Sequence, residues 1–182
     1  GSVSKFGLDI GVTAGGEITQ TGAITATYVY GPGIDEPYAL ITDDSGDCTP
    51  FDAVGFPEQR RYLSTDALGS ITSLSSEASG GGFRGMTLKE RYTYDSFGSP
   101  RITGAGPDGL LDTTDDVTLP QSAFGNPFLF TGREYDPETG LYYYRARYYD
   151  PFTGTFLQED PIGFFGGDIN LYRYVRSNPI NS

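Results

Sequence analysis

The chain is predicted to be all-β, an array of short hairpins with little helix, on three observations. Gly and Pro are abundant (26 and 12 of 182 residues), which punctuates the chain too often for long helices. Strand-forming aromatics are equally prominent, with 14 Tyr and 12 Phe but no Trp. A tyrosine-rich run followed by an Asp-to-Gly corner recurs, as YDPETG at 135–140, YYDPFTG at 148–154 and EDPIG at 159–163. A unit constant in chemistry and loose in length is the mark of a repeat array.

The segments follow in order. Residues 1–59 form an acidic, Gly/Thr-rich β segment in which TATYVY at 25–30 and YALIT at 38–42 are the clearer strands, and GPG at 31–33 ends the first. Residues 60–102 carry two hairpins, one turning from Asp66 to Gly69 and the other from Asp95 to Gly98. An aspartate that opens such a corner bonds the backbone two residues on, and the glycine supplies a positive φ. GGG at 80–82 reads as a loose loop between them. Residues 103–127 break the rhythm as an acidic inserted loop. Residues 128–182 resume it, with corners running from Asp136 to Gly140, from Asp150 to Gly154 and from Asp160 to Gly163.

The stretch 141–149 reads as one strand with two faces. Tyr142, Tyr144, Ala146 and Tyr148 alternate onto a core face; Tyr143, Arg145, Arg147 and Tyr149 alternate onto a cation–π face.

Composition excludes several chemistries. Without histidine no Ser-His-Asp or Cys-His nucleophile can be built, and the lone Cys48 makes neither a thiolate zinc site nor an internal disulfide. The net charge is −12, and in 1–59 Lys5 is the one base against nine carboxylates. Such a surface repels phosphate backbones and anionic lipid, so nucleic acid and membrane insertion are not expected as partners. Hard cations are: Asp108, Asp112, Asp115 and Asp116 crowd one loop and make calcium the candidate ligand, with Asp43, Asp44 and Asp47 a thinner version. The loop lacks the order of an EF-hand. No other cofactor is expected.

The same residues carry a family resemblance. The Tyr-x-Tyr-Asp-x-x-Gly units at 92–98, the dense run from Phe130 through Gly163 and the tail GGDINLYRYVRSNP at 166–179 resemble the RHS (rearrangement hot spot) or YD-repeat proteins, and more narrowly their RHS-associated core region. The likeness is dense over 128–179 and looser over 62–98. It implies a YD-repeat β-hairpin array, a fragment of a secreted or cell-surface β-spiral shell that encloses a toxin. In many members the core is an aspartyl autoprotease. Asp160 matches the Asp-Pro position of one acid of that pair, against a reading as a plain turn residue like Asp136 and Asp150. The sequence stops at Ser182, ahead of the family's closing Asp-Pro-x-Gly-Leu segment, so a second acid is not identified and no catalytic residue is assigned.

These readings combine into an expectation of a non-enzymatic extracellular scaffold. An array with open strand edges needs neighbours, either the rest of a shell or copies of itself in a filament. The alternatives are the self-cleaving aspartyl core and a carbohydrate or cell-surface adhesion module presenting aromatic faces.

Overall fold

A computed structural model describes residues 2–12, 18–30, 37–42, 59–77, 85–166, 169–175 and 178, with side chains from Tyr28 onward. The GPG stop at 31–33, Asp43, Asp44, Asp47, Cys48 and the GGG loop at 80–82 lie outside the described residues. The protein is nearly all β, with short 3-10 turns at Phe130–Gly132 and Gly163–Gly166. Among the described residues no helix is long and apolar enough to cross a membrane.

The chain divides into two compact units, Gly1–Leu63 with Ser75–Thr87, and Ser64–Leu74 with Leu88–Ser182. In the first, β1 (Ser2–Val12), β2 (Ile18–Tyr30), β3 (Pro37–Thr42) and the start of β4 (Gln59–Thr65) follow one another antiparallel. β1 and β2 are much longer than the short edge strands that their Gly/Thr/Ala composition suggests, and a bulge between Lys5 and Phe6 absorbs one register slip. Tyr28, Ala39, Leu40 and Leu63 are buried. Tyr28 lies opposite Leu40 across the β2–β3 pair, so one face of both strands supplies this core.

The second unit holds the repeated corners. β4 runs through the Asp66 corner into β5 (Ile71–Glu77); β6 (Met86–Tyr94) turns at Asp95 into β7 (Pro100–Gly104). β8 (Val117–Leu119) pairs with β7, so part of the segment read as an inserted loop returns to the sheet. A second antiparallel sheet is a meander of β9 (Glu134–Asp136), β10 (Leu141–Tyr143), β11 (Tyr148–Asp150) and β12 (Thr155–Phe156).

Each corner uses the same device. The carboxylates of Asp66, Asp95, Asp136, Asp150 and Asp160 accept the backbone N–H groups of Leu68, Phe97, Glu138, Phe152 and Ile162 at 2.9–3.0 Å. The closing glycines donate back to the carbonyl of the same aspartate, as Gly98 does to Asp95 at 3.1 Å and Gly154 to Asp150 at 2.9 Å. Thr139 and Thr153 add hydroxyl bonds to Asp136 and Asp150. With Thr139 bound first and the Glu138 N–H second, the Asp136 carboxyl is held below the usual range.

Tyrosines tie the corners to the sheets. The Tyr94 hydroxyl donates to the Ile71 carbonyl at 2.6 Å, that of Tyr142 to Gly98 and that of Tyr149 to Phe97, both at 2.8 Å. The rings of Tyr142 and Tyr149 form the core with Phe130, Phe156 and Tyr174, Tyr149 lying 4.3 Å from Tyr174 between centroids, and half-buried Tyr94 packs on Phe130 at 5.6 Å. Phenols serve here because each fills apolar space and carries one donor to a backbone carbonyl.

Burial pushes the phenols of Tyr92, Tyr94, Tyr142 and Tyr144 well above their ordinary range. A folded pKa above the unfolded value, about 10, gives stability that is complete below pH 10 and lost as pH rises through the interval above it. In an alkaline titration these phenols are expected to ionise together with loss of the β-sheet circular dichroism. Tyrosinate absorbance rising to completion with the sheet signal intact would refute this.

Candidate functional site

The most unusual side chain in the described structure is Glu90 on β6, which is fully buried. Strand alternation puts Glu90 on the same face as Tyr92 and Tyr94, and the core closes over Glu90 and Tyr92 while Tyr94 stays half-buried. An unpaired buried carboxylate is strongly disfavoured, so the chain must bring donors to it. Ser122 donates its hydroxyl to Oε2 at 2.7 Å, Tyr92 donates its phenol to the same oxygen, and the Ala123 N–H donates to Oε1 at 2.6 Å. Asn126 continues the cluster: its Nδ2 reaches Tyr92 at 3.4 Å and the Phe128 carbonyl at 2.9 Å, while its Oδ1 accepts the Phe128 N–H at 3.2 Å. Burial first, then the Glu90 charge and hydrogen bond, raise the Tyr92 phenol and keep it a donor.

The cluster forms one side of a cavity of about 170 Å³ lined by Ile102, Gln121, Ser122, Asn126, Leu129 and Tyr135. Ser122 and Asn126 belong to both cluster and cavity. Glu90 acts through them, by fixing the wall, because its carboxylate is sealed from solvent. Sequence reading missed this group. The signal was present: extending the Tyr92/Tyr94 face back by one strand period lands on Glu90.

The residues singled out by sequence are placed differently. The stretch 141–149 is not one strand. It breaks into β10 and β11, with Arg145 at φ 61° in the turn and the Ala146 N–H bonded to the Tyr144 carbonyl. The hairpin pairs Tyr142 with Tyr149 and Tyr143 with Tyr148. Tyr149 is therefore core and Tyr143 is exposed, so Tyr143, Arg145, Arg147 and Tyr149 do not make one cation–π face. Arg147 stacks instead on Phe156, 3.7 Å from the ring centroid, and Arg133 lies over Tyr144 at 5.0 Å.

The acidic loop disperses its carboxylates. Asp108 accepts the Leu110 N–H at 2.8 Å, Asp115 accepts the Asp108 N–H at 3.2 Å, and Asp116 accepts the Asp112 N–H at 3.0 Å. Asp112 faces Arg91 with both oxygens, and that guanidinium holds its carboxyl below the usual range. Asp115 is lowered as well, first by the Thr113 hydroxyl. Among the described residues no set of three or more His, Cys, Asp or Glu side chains is grouped to hold a metal ion.

Asp160 sits at its corner against Arg147, with Oδ2 3.0 Å from Nη2, and accepts the Ile162 N–H at 2.9 Å. A proton-sharing acid pair needs a second carboxyl in that place, and Asp160 has a guanidinium there.

No family model matches the chain. It is 31% identical over 160 residues, 86% of its length, to a tRNA3(Ser)-specific nuclease WapA of Bacillus spizizenii. It is 29% identical over 170 residues, 90% of its length, to double-stranded DNA deaminase toxin A of Burkholderia cenocepacia. The chain spans only 5% and 10% of these two relatives. Among solved structures, the TcdB2-TccC3 crystal structure matches with a TM-score of 0.57 at 24% identity, over 91% of this chain and 7% of that one, which shows a shared fold.

These relatives overturn the expectation of a non-enzymatic scaffold or self-assembling fibre, and the adhesion alternative with it. They are named as a nuclease and a deaminase toxin. The exclusion of nucleic acid and the choice of self as partner are corrected on the same finding. The physical reason is one of scale: the acidity of a segment spanning 5–10% of such polypeptides does not set the charge or the chemistry of the remainder. The chain is similar to segments of large toxins and nucleic-acid enzymes.

Proposed function

We propose that this chain is the RHS-associated core segment of a toxin polypeptide that is delivered outside the producing cell and whose activity is enzymatic and directed at nucleic acid. The observation that carries this reading is the alignment of 86–90% of the chain with a tRNA nuclease and a double-stranded DNA deaminase toxin. The TcdB2-TccC3 fold and the Asp-to-Gly corners of the second unit support it. The proposal assigns the nucleic-acid chemistry to the whole polypeptide, within which this segment contributes the tyrosine-cored corners and the Glu90 cluster.

The test uses the longest natural polypeptide carrying this sequence. The purified protein is incubated with total tRNA and with duplex DNA, then read by tRNA fragmentation and by mass-spectrometric detection of deaminated bases. Cleaved tRNA or deaminated DNA is the expected result. Both substrates recovered intact, together with unimpaired growth of cells that produce the protein internally, would remove the proposal.

A further inference from the structure

The corners at Asp95 and Asp150 differ in length, closing on a glycine three residues on at Gly98 and four residues on at Gly154, but both open with an aspartate that caps the N–H of a phenylalanine two residues later. Phe97 and Phe152 occupy the same place, each donating its N–H to the aspartate that opens its corner at 2.9 Å. The Phe97 ring rests on the Asp150 corner: a methyl group added to Gly154 would come within 2.8 Å of its Cδ1. Phe130 rests on the Asp95 corner in the same manner, 2.4 Å from a methyl built on Gly98. An aromatic ring lying on a positive-φ glycine corner is thus a contact this unit makes twice, and only a residue without Cβ admits the ring that closely. Phe152 has the same mounting, yet 92% of its surface is exposed. Nearby in sequence Ile162, Phe164 and Phe165 are also exposed, at 62%, 71% and 98%. Scattered exposed apolar residues need no partner, but an exposed ring whose backbone is capped in the position from which Phe97 makes a contact in the same unit does point to one.

We infer that Phe152 is a docking knob for a further Asp-to-Gly hairpin corner, supplied by a part of the longer polypeptide outside these residues. The inference rests on the reading that the chain is a segment of such a polypeptide; matched relatives are ten to twenty times longer than the aligned region, from coverages of 10% and 5%. The occupant is set by geometry: a corner closed by a glycine at positive φ, as at Gly98 and Gly154.

The test places the photo-crosslinker p-benzoylphenylalanine at position 152 of the longest natural polypeptide, with position 97 as the internal control. The control is expected to crosslink to residues around Gly154. Position 152 is expected to crosslink within the same molecule to an Asp-x-x-Gly or Asp-Pro-x-x-Gly segment, identified by peptide mass mapping. Phe152→Ala is expected to leave the thermal midpoint of this chain alone unchanged and to lower that of the long polypeptide. A working control with no crosslink from position 152, a crosslink to a segment without such a corner, or one between two copies would overturn the inference. So would a failed control, since the contact it copies would then be absent. None of these readouts depends on nucleic-acid turnover, so the inference and the proposed activity fail separately.

Discussion

Replacing Glu90 with alanine is expected to destabilise the second unit by about 3–5 kcal/mol, among the largest effects available from a single substitution. The carboxylate is fully buried and accepts from Tyr92, Ser122 and Ala123. Removing it strands these donors at roughly 1–3 kcal/mol each where water does not replace the acceptor. The hydroxyls have some recourse: Ser122 and Tyr92 can rotate toward other acceptors. The Ala123 N–H is fixed by the backbone and cannot. Glu90→Gln separates charge from hydrogen bonding. Its carbonyl can face the Ala123 N–H while its amide donates to the Ser122 and Tyr92 oxygens, each hydroxyl turning to suit. That variant is expected to lose only about 1–2 kcal/mol. Urea denaturation followed by far-ultraviolet circular dichroism measures both. Equal losses would mean that the charge, rather than the acceptor geometry, dominates, and a loss below 1 kcal/mol in the alanine variant would mean that the network is dispensable.

The contrast between what was and was not legible beforehand has a physical basis. The corners were legible because Asp and Gly each do one thing there that few residues can: cap a backbone N–H two residues on, and adopt positive φ. Asp66, Asp95, Asp136, Asp150 and Asp160 all do the former in the structure. The turn inside 141–149 was illegible for the complementary reason. Arg145 takes the left-handed conformation at φ 61° without being Gly, Asn or Asp, so no local signal marks it. There tertiary packing overrides preference: folding back lets Tyr142 and Tyr149 share one buried face, with centroids 6.3 Å apart. The acidic insertion misled in another way. Its composition is that of a loop, yet β8 and the Ser122–Asn126 stretch are needed by β7 and by Glu90, contacts more than thirty residues apart along the chain for Glu90. Function was the least legible. Charge and the absence of histidine describe these 182 residues well, but they speak for a small fraction of polypeptides such as the matched relatives.

Gly98→Ala is expected to cost about 2–5 kcal/mol, more than the same change at Gly69. Both glycines sit at positive φ, +91° and +80°, so both variants carry the backbone strain of an L-residue there, roughly 1–2 kcal/mol. They differ in what the new methyl meets. At Gly69 nothing lies within 4 Å; at Gly98 the methyl falls 2.4 Å from the Phe130 ring. That ring cannot simply withdraw. Phe130 is 4% exposed and is packed by Tyr94 at 5.6 Å and Tyr142 at 6.3 Å between centroids. The Gly98 carbonyl is also held by the Tyr142 hydroxyl at 2.8 Å, which keeps the corner from sliding away. Overpacking of this kind adds about 1–3 kcal/mol to the strain. Gly69→Ala is therefore expected to lose only the strain term, and the difference between the two midpoints in urea reads the ring contact directly. A double substitution with Phe130→Leu checks the cause, since a smaller side chain should relieve part of the Gly98→Ala penalty and give a favourable coupling of about 1 kcal/mol or more. Additive losses would place the penalty in the backbone alone and would remove the aromatic-on-glycine contact as a stabilising element of these corners.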